Sequence, residues 1–292
     1  MKIAGFTIAR NVVKNDYPIV EAIQSILPMI DVMIVLAGDS EDNTNEVLRS
    51  IQSPKMQIHY SVWDKNVMQG GSVYAVETNK AFNLIDDSYD WAFYIQADEV
   101  VHEKYYNTII EACKKYKDDK RVEGLLFKYL HFYGTYDYIG DSRRWYNYEI
   151  RIIRNDKSIS SYRDAQGFRK GDKKLKVKLI DAYIYHYGWV KSPKKMQDKH
   201  KEVKKYYDGN TNTAEAQAAL AEEVFNFNDF DSLKKFEGTH PAVMQKHIQL
   251  QNWQLHFDVS KKNFSFKNSI LYRIEKMTGK RLFSFRNYEI LK

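Results

Sequence analysis

Cysteine is almost absent from this chain. Its 292 residues include one, Cys113, and a lone cysteine cannot close an internal disulfide. A small disulfide-stapled fold is excluded, and no Cys or His pairing at zinc spacing occurs. Cys113 lies in the helical pattern IIEACKKY and is expected in the core. Long hydrophobic runs are also missing: none approaches the ~20 apolar residues of a membrane-spanning helix. Three phosphate or nucleophile loops are missing too. No G-x-G-x-x-G follows the first strand, and there is no Walker glycine-lysine loop and no G-x-S-x-G elbow. Dehydrogenase, P-loop ATPase and serine-hydrolase readings therefore fall. The segment MKIAGFTIARN has a short apolar run but no small-residue cleavage site, so it is expected to be the first strand of a cytoplasmic protein. There is no internal repeat and no low-complexity tract.

What is present is ordinary in amount and unusual in arrangement. A hydrophobic share of 43% and a charged share of 28% suit a soluble globular protein. The length suits one large domain, or a domain of about 200 residues with an appendage. A net charge of +7 and a pI near 9.0 favour anionic partners, either phosphorylated ligands or an anionic membrane surface. Nothing in the sequence supports a nucleic-acid partner.

The first half alternates strand and helix signals with little slack, the pattern of a mostly parallel sheet covered on both faces. Residues 3–8 read as a strand. Asp16 and Pro18 then open a helix carrying Ile19, Ile23, Ile26 and Ile30 at helical spacing. Strands are expected at 32–36, 57–63 and 91–95, with helices near 47–51 and 72–85 between them. A helix marked by Tyr105, Ile109, Ala112 and Tyr116 follows. GLLFKYLHFYG, EIRIIRN and KVKLIDAYIYHYGW are β-like, rich in Tyr, Phe and Ile. From Pro193 onward PKKMQDKHKEVKKYY, TAEAQAALAEEVFNF, HPAVMQKHIQLQN and FKNSILYRIEKM read as helices, the last closed by Gly279. The expected organisation is a catalytic α/β body over 1–192 and a helical C-terminal extension over 193–292.

The run DWAFYIQADE is buried in character and then stops at carboxylates. In an open α/β sheet such a strand ends at the edge where loops gather round a crevice, so Asp98 and Glu99 are candidates for chemistry. Acidic residues also suit the start of a helix. Two more polar clusters follow expected strands, Ala9-Arg10-Asn11 and residues 38–44, and in a parallel sheet all three would share one edge. Ser, Asp, Asn and Thr also make turns and caps, so no single cluster is specific.

The order IAGFTIARN, VLAGDSEDNT, TNKAFN, DWAFYIQADE resembles the family 2 glycosyltransferases of GT-A fold over about residues 1–190. That family carries an apolar strand, a Val-Asp-Asp-Gly-Ser-Thr-Asp-Gly-Thr turn, an Asn-bearing helix and an Asp-x-Asp corner. The resemblance implies a GT-A, Rossmann-like α/β body and transfer of a sugar from a nucleotide-sugar donor to an acceptor hydroxyl. The acceptor would be a cell-surface glycan or glycolipid, and the reaction inverting and assisted by Mn2+ or Mg2+. Carried over residue by residue, it implies Arg10, Asn11, Asp39, Asp42, Asn79, Gln96 and Ala97 on the donor. It further implies Asp98 and His186 on the metal, and Asp164 as the base.

Two departures stand out. Ala37 and Gly38 occupy the places of two carboxylates in the turn, leaving Asp39, Ser40, Asp42 and Thr44. Gln96 replaces the first Asp of the corner, which leaves one carboxylate for a hard cation that gains from each anionic oxygen. These departures keep open a donor-binding protein without turnover, and the basic charge keeps open a scaffold for anionic polymers. Arg143, Arg144, Arg151 and Arg154 are candidates to grip phosphates, although such arginines are more often surface charge. Trp145, Trp189 and Trp253 could stack on a sugar or fill core space. The basic segment after residue 190 offers either a membrane-surface patch or a solvated helix face.

Overall fold

Strands buried on both faces are expected to be largely apolar, and the first, second and fourth expected strands are, with Thr7 the polar exception. In the computed structural model, which describes residues 1–67, 69–204, 217 and 221–292, they form β1 (Ile3–Ala9), β2 (Val32–Ala37) and β4 (Trp91–Tyr94), nearly all buried. With β3 (Met56–Tyr60) they lie in the order β3-β2-β1-β4, every pair parallel. The α/β class expected from the sequence is therefore the observed one.

The alternation of side chains splits this sheet between two cores. On one face Met33, Val35, Phe93 and Ile95 pack with α1 (Ile19–Ile26), α2 (Thr44–Arg49) and α4 (Tyr106–Tyr116). On the other, Phe6, Ile34, Leu36 and Tyr94 pack with Phe82 of α3 (Ser72–Asn83) and with Phe168. Cys113 is fully buried on α4, and burial pushes its thiol up to about 12, so it is inert packing.

Beyond β4 the sheet is mixed. It continues β8 (Tyr148–Arg154), β6 (Gly124–Gly134), β11 (Lys173–Val190), β10 (Gly167–Lys170), β9 (Ile159–Tyr162). β4-β8 and β8-β6 are antiparallel, whereas β6-β11 is parallel. The short β5 (Glu99–Val101) follows the QADE corner and pairs antiparallel with β11. The corner thus starts a strand, and α4 comes later.

The C-terminal extension carries α5 (Pro193–Lys204), α6 (Gln245–Gln249) and α7 (Phe266–Thr278), the last ending on left-handed Gly279 (φ 66°). It also returns to the sheet twice. β12 (Leu233–Lys235) pairs with β7 (Tyr138–Gly140), and β13 (Tyr288–Ile290) runs parallel to β11. Of the helix expected over 213–227, residues 213–216 and 218–220 lie outside the described residues. Residues 222–227 are irregular rather than helical, because Phe225 and Phe227 are drawn into an aromatic cluster with Tyr133 and Trp189.

A buried ion pair fixes the corner. Arg151 on β8 donates from Nε to Glu99 Oε2 at 2.8 Å and from Nη2 to Oε1 at 2.7 Å, with both side chains almost fully buried. Tyr129 OH and the Gln96 backbone N–H donate to the same carboxylate. Bidentate geometry with further hydrogen bonds is the condition under which a buried pair holds. Glu99 and Arg151 are therefore structural partners, which corrects the expectation of chemistry for the first and phosphate binding for the second. Arg154 is likewise spent, donating to the carbonyls of Tyr116, Lys117, Asp119 and Val122 at the end of α4. Arg151→Met leaves Glu99 charged and uncompensated, and is expected to lower stability in urea by about 3–5 kcal/mol. A loss below ~1 kcal/mol would show that the pair does not hold the corner.

Candidate functional site

Because β1, β2 and β4 are parallel, their C-terminal ends open on one edge. There Arg10, just past β1, puts its Nε 3.1 Å from Asp39 Oδ1, just past β2, and its guanidinium over the Trp63 ring at 5.3 Å. Gly38 permits this closeness, since a Cβ there would lie 2.5 Å from the Trp63 indole nitrogen and 3.1 Å from Arg10 Cδ. Asp39 also accepts from the Trp63 backbone N–H at 3.1 Å. Beside these residues lies a cavity of about 910 Å³, whose wall includes Arg10, Gln96, Ala97, Asp98, Trp145, Glu149, Asp164 and Lys199. This is a volume suited to a sizeable small-molecule ligand.

Asp98 is the electrostatic centre of the wall. Its Oδ2 is 3.5 Å from His186 Nε2 and 3.6 Å from Lys199 Nζ. Burial alone would raise its carboxyl, but the charges of His186, Lys199 and Lys191 outweigh that and hold it well below the usual carboxylate range. Lys199 also donates to Gly188 O at 2.8 Å, and burial lowers its ammonium. Lys191, fully buried, donates to Asp16 O at 2.5 Å, and burial lowers its pKa to about 7. The basic pattern of α5, read from sequence as surface or membrane face, thus delivers one lysine to the site.

The orientation of His186 follows from its neighbour. Parallel pairing of β6 and β11 puts His131 in register with His186, Nδ1 to Nδ1 at 3.2 Å. His131 Nε2 faces Tyr146 O at 2.9 Å, and a carbonyl only accepts, so Nε2 carries the proton. Burial and then the charge of His186 hold His131 well below its ordinary pKa, so its Nδ1 is an acceptor. His186 therefore donates from Nδ1, and its Nε2 faces Asp98 Oδ2 at 3.5 Å.

Gly188 lets Asp98 and His186 close over the backbone: a Cβ there would sit 2.5 Å from Asp98 Oδ2 and 2.8 Å from His186 Nε2, nearer than a side chain tolerates. Asp98 and His186 are the residues that would hold a divalent ion, a hard carboxylate oxygen beside an imidazole nitrogen. Among the described residues no group of three His, Cys, Asp or Glu side chains could hold a metal, so further ligands would come from substrate and water.

Asp164 lies in the turn between β9 and β10, flanked by Arg163 (φ 56°) and Ala165 (φ 60°). Left-handed backbone at two non-glycine residues is costly, of order 1 kcal/mol each, and persists because the turn is tied down: Gln96 Nε2 donates to Ala165 O at 3.3 Å. Glu149 of β8 is also in the wall. Its Oε2 is buried without a hydrogen-bond partner. Burial raises its carboxyl to about 8, with Glu99 and Asp164 adding to the rise against the opposing charge of Arg151.

Other expected donor residues are committed to the scaffold. Asp42 lies just before α2, accepting from the Thr44 N–H at 3.0 Å and from the Lys14 N–H at 2.7 Å. Asn79 accepts from the Ser161 N–H at 2.7 Å, tying α3 to β9. Asn11, buried with φ 51°, accepts from the Glu41 N–H at 2.8 Å. Arg143 reaches Glu275 of α7 at 2.8 Å, and Arg144 donates to Asp229 O at 3.4 Å, so both bind the C-terminal extension. Trp145 lines the cavity and stacks on His131 with ring centroids 5.2 Å apart. Trp189 and Trp253 pack in aromatic clusters, and Trp253 donates to Gly134 O.

No family model matches the chain, and no curated protein matches it. Among solved structures it is similar to residues 1–349 of S. aureus TarS in complex with UDP-GlcNAc, at 15% identity and a TM-score of 0.39 over 76% of this chain and 71% of that one. Against a longer TarS chain the TM-score is 0.40, and this chain spans 42% of its length. It is also similar to glucosyl-3-phosphoglycerate synthase from Mycobacterium tuberculosis in complex with Mg2+ and uridine diphosphate. There the identity is 15% and the TM-score 0.30, over 44% of this chain and 43% of that one.

Proposed function

We propose that the chain is a glycosyltransferase that moves a sugar from a nucleotide-sugar donor to an acceptor hydroxyl, with inversion and with a divalent cation bound at Asp98 and His186. The observation that carries this reading is Asp98, set beside His186 Nε2 and Lys199 Nζ in the wall of a large cavity. Bound there, Mn2+ or Mg2+ would offset the charge of a departing diphosphate. Arg10 and Lys199 add fixed positive charge on the same wall, where low dielectric strengthens it.

In the proposed reaction the acceptor oxygen forms a bond to the anomeric carbon as the bond from that carbon to the diphosphate breaks, its electrons passing to the phosphate oxygen. The acceptor proton goes to Asp164, a carboxylate on the turn that Gln96 ties to the donor corner. Glu149 keeps its own proton at neutral pH and can donate a hydrogen bond to a sugar hydroxyl. The acceptor is proposed to be a cell-surface glycan or glycolipid.

Asp98→Asn and Gly188→Ala are each expected to weaken metal-dependent binding of UDP at least ~10-fold by calorimetry. Equal wild-type affinity with manganese and with chelator would remove the metal from the reading.

Asp164→Asn is expected to retain nucleotide binding and to lose turnover by roughly 10²–10⁴. Turnover within a few-fold of wild type rejects the base.

For Glu149 the prediction concerns stability. The unfolded chain loses this proton near pH ~4.3 and the folded chain near 8, so stability falls as pH rises through that window. Glu149→Gln removes the penalty and is expected to raise Tm by ~2 °C or more at pH 8, with no gain at pH 4. An equal shift at both pH values would contradict a raised carboxyl.

A further inference from the structure

The segment from α7 to β13 shows the solvent a face that a soluble surface normally avoids. Along α7, Phe266, Ile270 and Met277 recur at helical spacing and are 84%, 43% and 86% exposed. In the loop beyond Gly279, Phe283 is 89% exposed and Phe285 66%. Four exposed cations are interleaved with them: Lys267, Arg273, Lys280 and Arg286. Over 264–288 the one acid is Glu275, which turns inward to Arg143 and Arg281.

The opposite side of the helix is anchored. Tyr272 OH donates to Asp141 Oδ2 and Lys276 Nζ to Asp141 Oδ1, while Arg281 donates to Trp145 O at 2.6 Å. The apolar stripe is therefore presented by a fixed helix, rather than exposed by fraying.

We infer that this strap docks on a bilayer surface rich in anionic headgroups. The charge pattern selects that occupant. A helix with aromatic and aliphatic residues along one stripe and Lys or Arg beside them lies at the headgroup boundary, gaining from apolar burial and from attraction to anionic lipid together. Each cation near such a surface adds to binding, and over 264–288 no exposed acid opposes it. Among the described residues no helix is long and apolar enough to cross a membrane, so the contact is peripheral. Lys267, Leu271, Phe283, Phe285 and Arg286 also line the cavity, so docking would hold its mouth at the lipid–water boundary. The docking stands independently of the transferase reading. With that reading it points to a lipid-borne acceptor.

The test is co-sedimentation of the full chain with vesicles of phosphatidylcholine alone and of phosphatidylcholine containing phosphatidylglycerol. Wild type is expected to sediment with the anionic vesicles, less so as salt is raised, and weakly with the neutral ones. The double variant Phe266→Asp with Met277→Asp lies off the cavity wall and replaces exposed side chains, so folding is checked by circular dichroism and Tm. It is expected to lose vesicle binding at least ~10-fold, as is Lys280→Glu with Arg286→Glu on anionic vesicles. Absence of wild-type binding overturns the inference, as does binding that the folded variants retain. A wild-type dimer that the Phe266→Asp, Met277→Asp variant dissociates would assign the face to a second copy and likewise overturn it.

Discussion

The site rests on one buried ion pair. Arg151 comes from β8 and Glu99 from the corner after β4, and their bidentate contact fixes the corner against a strand that is distant in sequence. Ile95, Gln96, Ala97 and Asp98 are the residues between β4 and that anchor, so they have little freedom of their own. The Gln96 N–H is drawn onto the Glu99 carboxylate, which leaves its side chain to reach the turn bearing Asp164. Neither charge is available to a ligand, and both decide where a ligand can bind.

Around Asp98 the protein has gathered cations whose own burial is unfavourable. Lys191 and Lys199 come from the end of β11 and from α5, and the carboxylate offsets only part of the hydration they lose, so burial still lowers both. An anion entering the cavity would meet Lys199 in its wall, a charge whose desolvation was completed during folding, so little reorganisation is left for that contact.

Much of this was legible in the sequence. Continuous apolar runs announced β1, β2 and β4, and their polar ends announced the edge on which Arg10, Asp39 and Asp98 assemble. The rest depended on pairing that composition does not encode. His131 looked like any aromatic-flanked residue of a strand until the parallel register set it beside His186. Lys199 belonged to a basic helix whose period suggested a solvated face. Glu99 and Arg151 looked reactive because a carboxylate and a guanidinium are available to ligands until tertiary structure joins them. Asn79 and Asp42 sat where a resemblance placed donor ligands, but amide and carboxylate groups near backbone N–H groups serve equally to tie the scaffold together.

The parallel pairing of β13 with β11 has a kinetic consequence. Its two strands are separated by the whole C-terminal extension, and closing so long a loop costs entropy before any contact is recovered. Local βα units of the first half can form early, whereas the wall built from α7 and residues 281–288 must wait for that closure. The cavity is thus among the last features to exist on the folding path, and a partly folded chain would carry the corner and its carboxylates without the enclosure that makes them a site.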